Sequence, residues 1–107
     1  MSTAASSEAS VTSATSKRIE ELRHEIDSVD KVIIDAIIRR VILAREIGEL
    51  KHQSGLPVLD PAREAAVVSR AAAQSRSAGL PEQEMRTLYW QIMALARHVQ
   101  MQPGVAV

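Results

Sequence analysis

The chain has 107 residues and carries 13 Lys and Arg residues against 13 Asp and Glu residues, so its net charge is zero. This length allows a single domain, and a nucleic-acid-binding domain of this size usually has a strong basic excess. The chain contains no cysteine, which excludes a disulfide framework and thiolate metal sites. Its apolar runs are too short to span a bilayer, so we expect neither a membrane nor a nucleic acid among its partners.

Residues 1–16 are almost all Ser, Thr and Ala. Such a segment cannot bury enough apolar surface to offset its ordering entropy, so the composition predicts a disordered tail. A secretory signal needs a basic start and an apolar stretch, and an organellar transit peptide is rich in Arg. The tail has none of these features, and we therefore expect a cytoplasmic protein.

A long helix is predicted from Ser16 or Lys17 to the Gly55-Leu56-Pro57 stop. Apolar residues recur at the two core positions of a heptad repeat over roughly four heptads. They are Ile19, Ile26, Ile33 and Ile47 at one position and Leu22, Val29, Ala36, Leu43 and Leu50 at the other. Such a helix is about 50 Å long, whereas a compact monomer of this chain length has a radius of gyration of about 13 Å. The rest of the chain is too short to cover it, so the pattern predicts a homodimer.

Two shorter helices follow. Asp60 is a good N-cap and Pro61 fits the first helical position, so a second helix is predicted there. A third is predicted to begin around Pro81 and to stop before Pro103-Gly104. There is no strand pattern, and the predicted class is all-α with three helices per chain. The predicted division is a tail over 1–16, a helical domain over 17–102 and a flexible C-terminus over 103–107.

Three cations of the long helix are candidate ligand-binding residues. Arg40 occupies a core position of the heptad repeat, where a charge is costly unless something pairs with it. Lys51 lies about three turns further along and points within roughly 20° of Arg40. Arg23 faces about 100° away from Arg40 and is about 25 Å distant along the axis, so it would reach the same small ligand only from an antiparallel partner helix. Taken singly, such residues are more often structural: an interhelical ion pair for Arg40, a solvated cation near the helix end for Lys51 and a surface arginine for Arg23.

The start of the second helix adds a polar group. Asp60, Arg63 and Glu64 lie there beside free backbone N–H groups that can bind an anion or a hydroxyl. Capping explains Asp60 equally well, and a solvated first turn explains the other two. Gln100 carries almost no signal by itself. The three histidines lack metal-ligand spacing, so we expect no metal.

The ordered set of these positions resembles the all-helical chorismate mutases. The first helix carries Leu22-Arg23, Ile26, Asp30, Arg39-Arg40, Ile47-Gly48 and Lys51. The resemblance continues through Pro57-Val58, Asp60 and Arg63-Glu64 to Gln100, and covers about residues 18–101. It implies an intertwined homodimer of two three-helix chains, a six-helix bundle with two equivalent sites, in which Arg23 enters the site of the other subunit.

The resemblance also implies conversion of chorismate to prephenate, for phenylalanine and tyrosine biosynthesis, without a cofactor or a covalent step. Arg40 and Arg23 of the partner subunit would bind the two carboxylates of this dianionic substrate, because the planar guanidinium matches a carboxylate. Lys51 would contact a carboxylate and the ether oxygen. Gln100 would donate to the ether oxygen from the other side.

The remaining family positions surround the ring hydroxyl and one carboxylate. By resemblance, Glu64 would accept a hydrogen bond from the hydroxyl, the backbone N–H at Asp60 would assist, and Arg63 would lie close by as a water-linked cation. One position departs: Ala96 stands where many members carry a Ser that helps to hold a carboxylate. One hydroxyl donor is therefore lost.

Several alternatives stay open. Isochorismate-pyruvate lyases share the fold and the cations but tend to lack an acid at the position of Glu64, which favours the mutase. The Ala96 change leaves a mutase acting on an amino analogue of chorismate open. A non-catalytic helical dimerisation module would explain the heptad pattern but not the polar set. Docking onto another enzyme of the pathway also stays open.

Overall fold

The computed structural model describes the backbone of residues 2–102 and the side chains of residues 12–102. Within that range the chain forms three α-helices and no strand: α1 (Ser2–Ser54), α2 (Pro61–Ser77) and α3 (Glu82–Gln100). The predicted all-α class with one very long N-terminal helix is confirmed. The predicted flexible segment over 103–107 lies outside the described residues. None of the described helices combines the length and the apolar character needed to cross a membrane.

The observed start of α1 differs from the predicted one. The helix begins at Ser2 rather than near Lys17, and so includes most of the segment predicted to be a disordered tail. No Pro or Gly occurs in residues 1–16, so nothing in the backbone ends the helix there, and alanine is the best helix former. Composition decides how much surface a segment can bury, but not whether its backbone is helical. The division of the chain at residue 16 stays a prediction.

The chain divides into two units, Met1–Ile37 and Ile38–Val107. In the first unit, every side chain from residue 12 to residue 37 is exposed. Apolar side chains share this exposure, for example Ile26 at 58% and Val32 at 67%. Arg18 forms an ion pair with Glu21, and Arg23 forms one with Glu20, on the surface of the helix. Such exposed pairs contribute only about 0.3–0.5 kcal/mol each to stability. The apolar stripe of this unit is therefore without cover inside the unit.

The second unit contains the core. Val67 and Val68 of α2 pack against Met93 of α3, and Tyr89 and Ile92 pack against this cluster. These positions recur at helical spacing, so each helix presents one apolar face to the other. Further buried positions are Ala44 of α1, Ala71 and Ala72 of α2, and Val99 of α3. Small residues dominate the list, which allows the helix backbones to approach closely.

The connection between α2 and α3 is a tight turn. Gly79 adopts a φ of 74°, a left-handed conformation that glycine adopts without steric cost. The N–H of Leu80 donates to the carbonyl of Ser75 over 2.9 Å and so closes the last turn of α2. Beyond the turn, Arg76 and Arg86 both donate to Glu82, and these hydrogen bonds hold the pKa of its carboxyl below the usual value.

We expect Val68→Ala to lower the free energy of unfolding by about 2 kcal/mol, because it removes two methyl groups from a side chain that is 1% exposed and leaves a cavity. Urea denaturation followed by circular dichroism, at fixed protein concentration, measures the change. Leu80→Ala is the control: its side chain is 49% exposed, so the loss should stay within about 0.5 kcal/mol. Equal losses in both variants would contradict the assigned core.

Candidate active site

A cavity of about 470 Å³ opens in the second unit, a volume that suits a small ligand. It is lined by Arg40, Leu43, Ala44, Ile47, Lys51, Val58, Asp60, Arg63, Glu64, Val67, Met93, Ala96, Arg97 and Gln100. Every residue predicted for the site from the sequence is among them, with the exception of Arg23. The C-terminal part of α1, the start of α2 and the C-terminal half of α3 thus share one cavity.

The cavity lining is mixed in character and cationic on balance. Its apolar part comes from aliphatic side chains and Met93. Its charged residues are four cations and two carboxylates: Arg40, Lys51, Arg63 and Arg97 against Asp60 and Glu64. The balance is two positive charges, while the whole chain is neutral. Because charges are costly to gather next to apolar walls, this concentration fits an anionic ligand better than a structural role.

Gly48 brings α1 and α3 into contact beside the cavity. It is buried, and a Cβ atom at this position would lie 3.0 Å from Cα and 3.2 Å from Cβ and Cγ of Gln100. Nε2 of His52, one turn later, lies 3.2 Å from the carbonyl oxygen of Gln100 and can donate to it. The sequence signal was a lone glycine inside a helical pattern, which often marks close packing. The close approach determines where Gln100 stands.

Lys51 connects α1 to the segment that leads into α2. Its Nζ donates to the carbonyl oxygen of Val58 over 3.0 Å, and its own carbonyl accepts from the N–H of Leu56 over 2.9 Å. An ammonium group has three donors, so further donors remain for a ligand. The simple reading of Lys51 as a solvated cation near the helix end does not describe this half-buried, tethered side chain.

The start of α2 forms another part of the lining. Asp60 caps the helix, with Oδ1 accepting from the N–H of Arg63 over 3.1 Å, and Pro61 occupies the first turn. The predicted start of the second helix is therefore confirmed. The carbonyl of Asp60 accepts from the N–H of Glu64 over 3.1 Å. This capped N-terminus places Asp60, Arg63 and Glu64 within one helical turn, at the cavity.

Glu64 already has a partner in the cavity. Arg97 of α3 donates from Nη1 to Oε1 of Glu64. The Glu64 side chain is 15% exposed and the Arg97 side chain 40% exposed, so the pair is partly shielded from water. The sequence analysis did not single out Arg97. Its spacing of three residues from Gln100 places both on one helix face, and that signal would have found it.

Arg23 lies in the first unit and is absent from the cavity lining. Its Nη1 donates to Oε1 of Glu20 over 2.7 Å, and the Arg23 side chain is 67% exposed. Its contribution to a site stays a prediction. Within the described residues, no group of three or more His, Cys, Asp and Glu side chains is arranged to hold a metal ion.

Comparison with known proteins places these features in a family. The chain is 34% identical over 71 residues to the 4-amino-4-deoxychorismate mutase of Streptomyces venezuelae, which covers 66% of this chain and 69% of that protein. It is 37% identical over 54 residues to the chorismate mutase of Methanocaldococcus jannaschii, covering 50% and 54% of the two chains. Identity to the T-protein of Enterobacter agglomerans is 40% over 60 residues, 56% of this chain but 16% of the T-protein.

The chain thus spans only a small part of the T-proteins that it matches. No solved structure was found to match it. The sequence model of the family described as chorismate mutase type II matches residues 22–101, a range that includes Arg23 and the whole cavity lining from Arg40 to Gln100. On this match over most of its length, the chain belongs to the chorismate mutase type II family.

Proposed function

We propose that the protein is a chorismate mutase, which converts chorismate to prephenate for the synthesis of phenylalanine and tyrosine. The observation that carries this proposal is the single cavity that gathers Arg40, Lys51, Glu64 and Gln100. Chorismate is a dianion, and the net charge of two positives on the lining is complementary to it. We propose the cytoplasm as its compartment, supported by the lack of cysteine, which fits a reducing environment.

The proposed reaction is a concerted rearrangement. The ether C–O bond breaks while a C–C bond forms, so no nucleophile, proton transfer or cofactor is required. The protein lowers the barrier in two ways: it holds the substrate in the compact conformer in which the reacting carbons meet, and it stabilises the negative charge that builds up on the ether oxygen. A cavity with fixed cations and amide donors can do both.

The roles of the α1 and α3 residues follow from this chemistry. Arg40 binds a carboxylate with its planar guanidinium. Lys51, held by Val58, keeps donors for a carboxylate and for the ether oxygen. Gln100 donates to the ether oxygen from α3, where the approach at Gly48 positions it. Because the donors are already in place, little reorganisation is needed as charge develops.

The α2 residues meet the substrate hydroxyl. Glu64 accepts a hydrogen bond from it, the backbone N–H at Asp60 assists, and Arg63 contributes a nearby cation through water. Ala96 lines the cavity but offers no hydroxyl, so the carboxylate at that point is held by one donor fewer. This role of Glu64 disfavours the lyase alternative, which tends to lack an acid here.

We further propose that the active form is an intertwined homodimer. The exposed apolar side chains of the first unit support this, because a second copy of the chain would bury them. The heptad spacing of those side chains is suited to packing against another helix. Arg23 of the partner subunit would then bind the second carboxylate in each of two equivalent sites.

A second candidate is a mutase for the 4-amino analogue of chorismate. The relative from Streptomyces venezuelae named for this substrate matches over 69% of its own length. Ala96 is the position at which this chain departs from the pattern of the chorismate enzymes. The assay below separates the two candidates.

Purified protein mixed with chorismate should consume it, measured by loss of absorbance, and should form prephenate, identified by mass and by acid conversion to phenylpyruvate. Arg40→Ala should abolish turnover, because it removes a carboxylate ligand. Arg45→Ala is the matched control, since Arg45 is an exposed α1 arginine outside the cavity lining.

Isochorismate and the amino analogue are run in parallel. If only isochorismate reacted and released pyruvate, the protein would be the lyase. If only the amino analogue reacted, the second candidate would be established. If a folded dimer turned over none of the three substrates, a non-catalytic module would be favoured.

Lys51→Ala should lower kcat by about 10²–10³-fold or more, because one donor to the developing charge is lost. Gln100→Ala should act in the same range. Steady-state kinetics with chorismate provide the measurement, and Lys31→Ala, at an exposed α1 lysine, should be without effect. A change in KM alone for Lys51→Ala would show that Lys51 binds the ground state and transition state equally well, contrary to its proposed role.

A mixture of Arg23→Ala and Arg40→Ala chains should regain activity that neither variant has alone. In a heterodimer, one site keeps Arg40 from one chain and Arg23 from the other, while the second site loses both. Random exchange should therefore restore about a quarter of wild-type activity, measured after co-refolding at equal amounts. No recovery from a mixture shown to be dimeric by sedimentation would place Arg23 outside the partner's site.

A further inference from the structure

We infer that the ion pair between Arg97 and Glu64 makes the cavity select a substrate with a neutral hydroxyl over one with a charged amine. The inference rests on the proposed function and extends it, because it assigns substrate specificity to Arg97. Arg97 acts through Glu64 and is therefore a positioning residue. Neither the heptad pattern nor the polar set of the sequence pointed to it.

The first argument is geometric. Arg97 and Glu64 both line the cavity and are joined by a hydrogen bond from Nη1 to Oε1. Arg97 follows Ala96 directly and lies on the same helix face as Gln100. The cation therefore stands next to the carboxylate that is proposed to meet the substrate hydroxyl.

The second argument concerns hydrogen-bonding capacity. An ionised carboxylate has about four acceptor sites on its two oxygens, so one bond from Arg97 leaves room for a hydroxyl donor. A hydroxyl brings no charge and is not repelled by the guanidinium. The pair thus also fixes the orientation of Glu64 before the substrate arrives, which reduces the ordering cost of binding.

The third argument concerns charge. An aliphatic amine is protonated near neutral pH, so the amino analogue brings an ammonium group to Glu64. Arg97 already offsets the charge of this carboxylate. The ammonium group would also lie close to the guanidinium of Arg97 in a partly shielded site, where like charges repel more strongly than in water. Of the other charged lining residues, Arg40, Lys51 and Arg63 are cations. Asp60 is a carboxylate, but its Oδ1 already accepts from the N–H of Arg63 as the cap of α2.

The experiment compares kcat/KM for chorismate and for its 4-amino analogue. The wild-type protein should favour chorismate. Arg97→Met, which keeps side-chain length without charge, should narrow this preference by about tenfold, or about 1.4 kcal/mol, mainly through a lower KM for the amine. Arg97→Lys should keep the preference. Glu64→Gln should widen it, because the ammonium then meets Arg97 without the Glu64 carboxylate beside it.

The opposite shifts separate specificity from a structural role. If the ion pair only supported the fold, breaking it would change kcat/KM for both substrates in parallel, whichever partner is replaced. The matched control is Arg86→Met, which breaks the Arg86–Glu82 pair, a pair of α3 whose residues are absent from the cavity lining. This variant should leave the preference unchanged, and circular dichroism confirms that each variant is folded.

An unchanged preference in Arg97→Met, with KM raised equally for both substrates, would overturn the inference and would indicate that Arg97 binds a carboxylate common to both. A wild-type preference for the amine would also overturn it, and would favour the second candidate function. These results leave turnover intact and so differ from a failure of the proposed function, in which the wild-type protein turns over neither substrate and the inference fails with it.

Discussion

The close approach of α1 and α3 at Gly48 is the constraint on which the site depends. With hydrogen in place of a side chain, the α1 backbone can lie against Gln100, where a Cβ atom would be 3.0 Å from Cα. This contact, with His52 near the Gln100 carbonyl, sets the distance between the two helices. The cations on α1 and the polar end of α3 can then line the same cavity.

The cavity concentrates charge that the core between α2 and α3 lacks. Its lining holds six charged residues, while the core between α2 and α3 is aliphatic apart from Met93 and Tyr89. Partly buried charges reduce stability unless they are paired or bound. Here Asp60 accepts a backbone N–H, Lys51 donates to a carbonyl, and Glu64 pairs with Arg97. These local partners hold the charged groups in place, and the proposed reaction would require such pre-organisation for electrostatic catalysis.

The first unit poses a different problem. It is a helix with apolar side chains at heptad spacing and no cover within its own unit. A stable helix of this kind obtains most of its stability from packing rather than from helix propensity. The same helix carries Arg23. In the proposed dimer, folding and completion of the site would therefore be one event, because burying the apolar stripe would bring in the missing cation.

The sequence by itself determined the helical class and the start of α2 at Asp60 and Pro61. The polar residues from Arg40 to Gln100 that line the cavity were indicated by the resemblance to the all-helical chorismate mutases. Periodicity and capping are local properties, so they can be read along the chain. In the structure α1 begins at Ser2, and the division of the chain at residue 16 stays a prediction. Only the tertiary structure decided that Arg97 meets Glu64, that Lys51 is tethered to Val58 and that Gly48 touches Gln100. Spacing tells which residues share a helix face, but which faces meet depends on how side chains of different helices fit together.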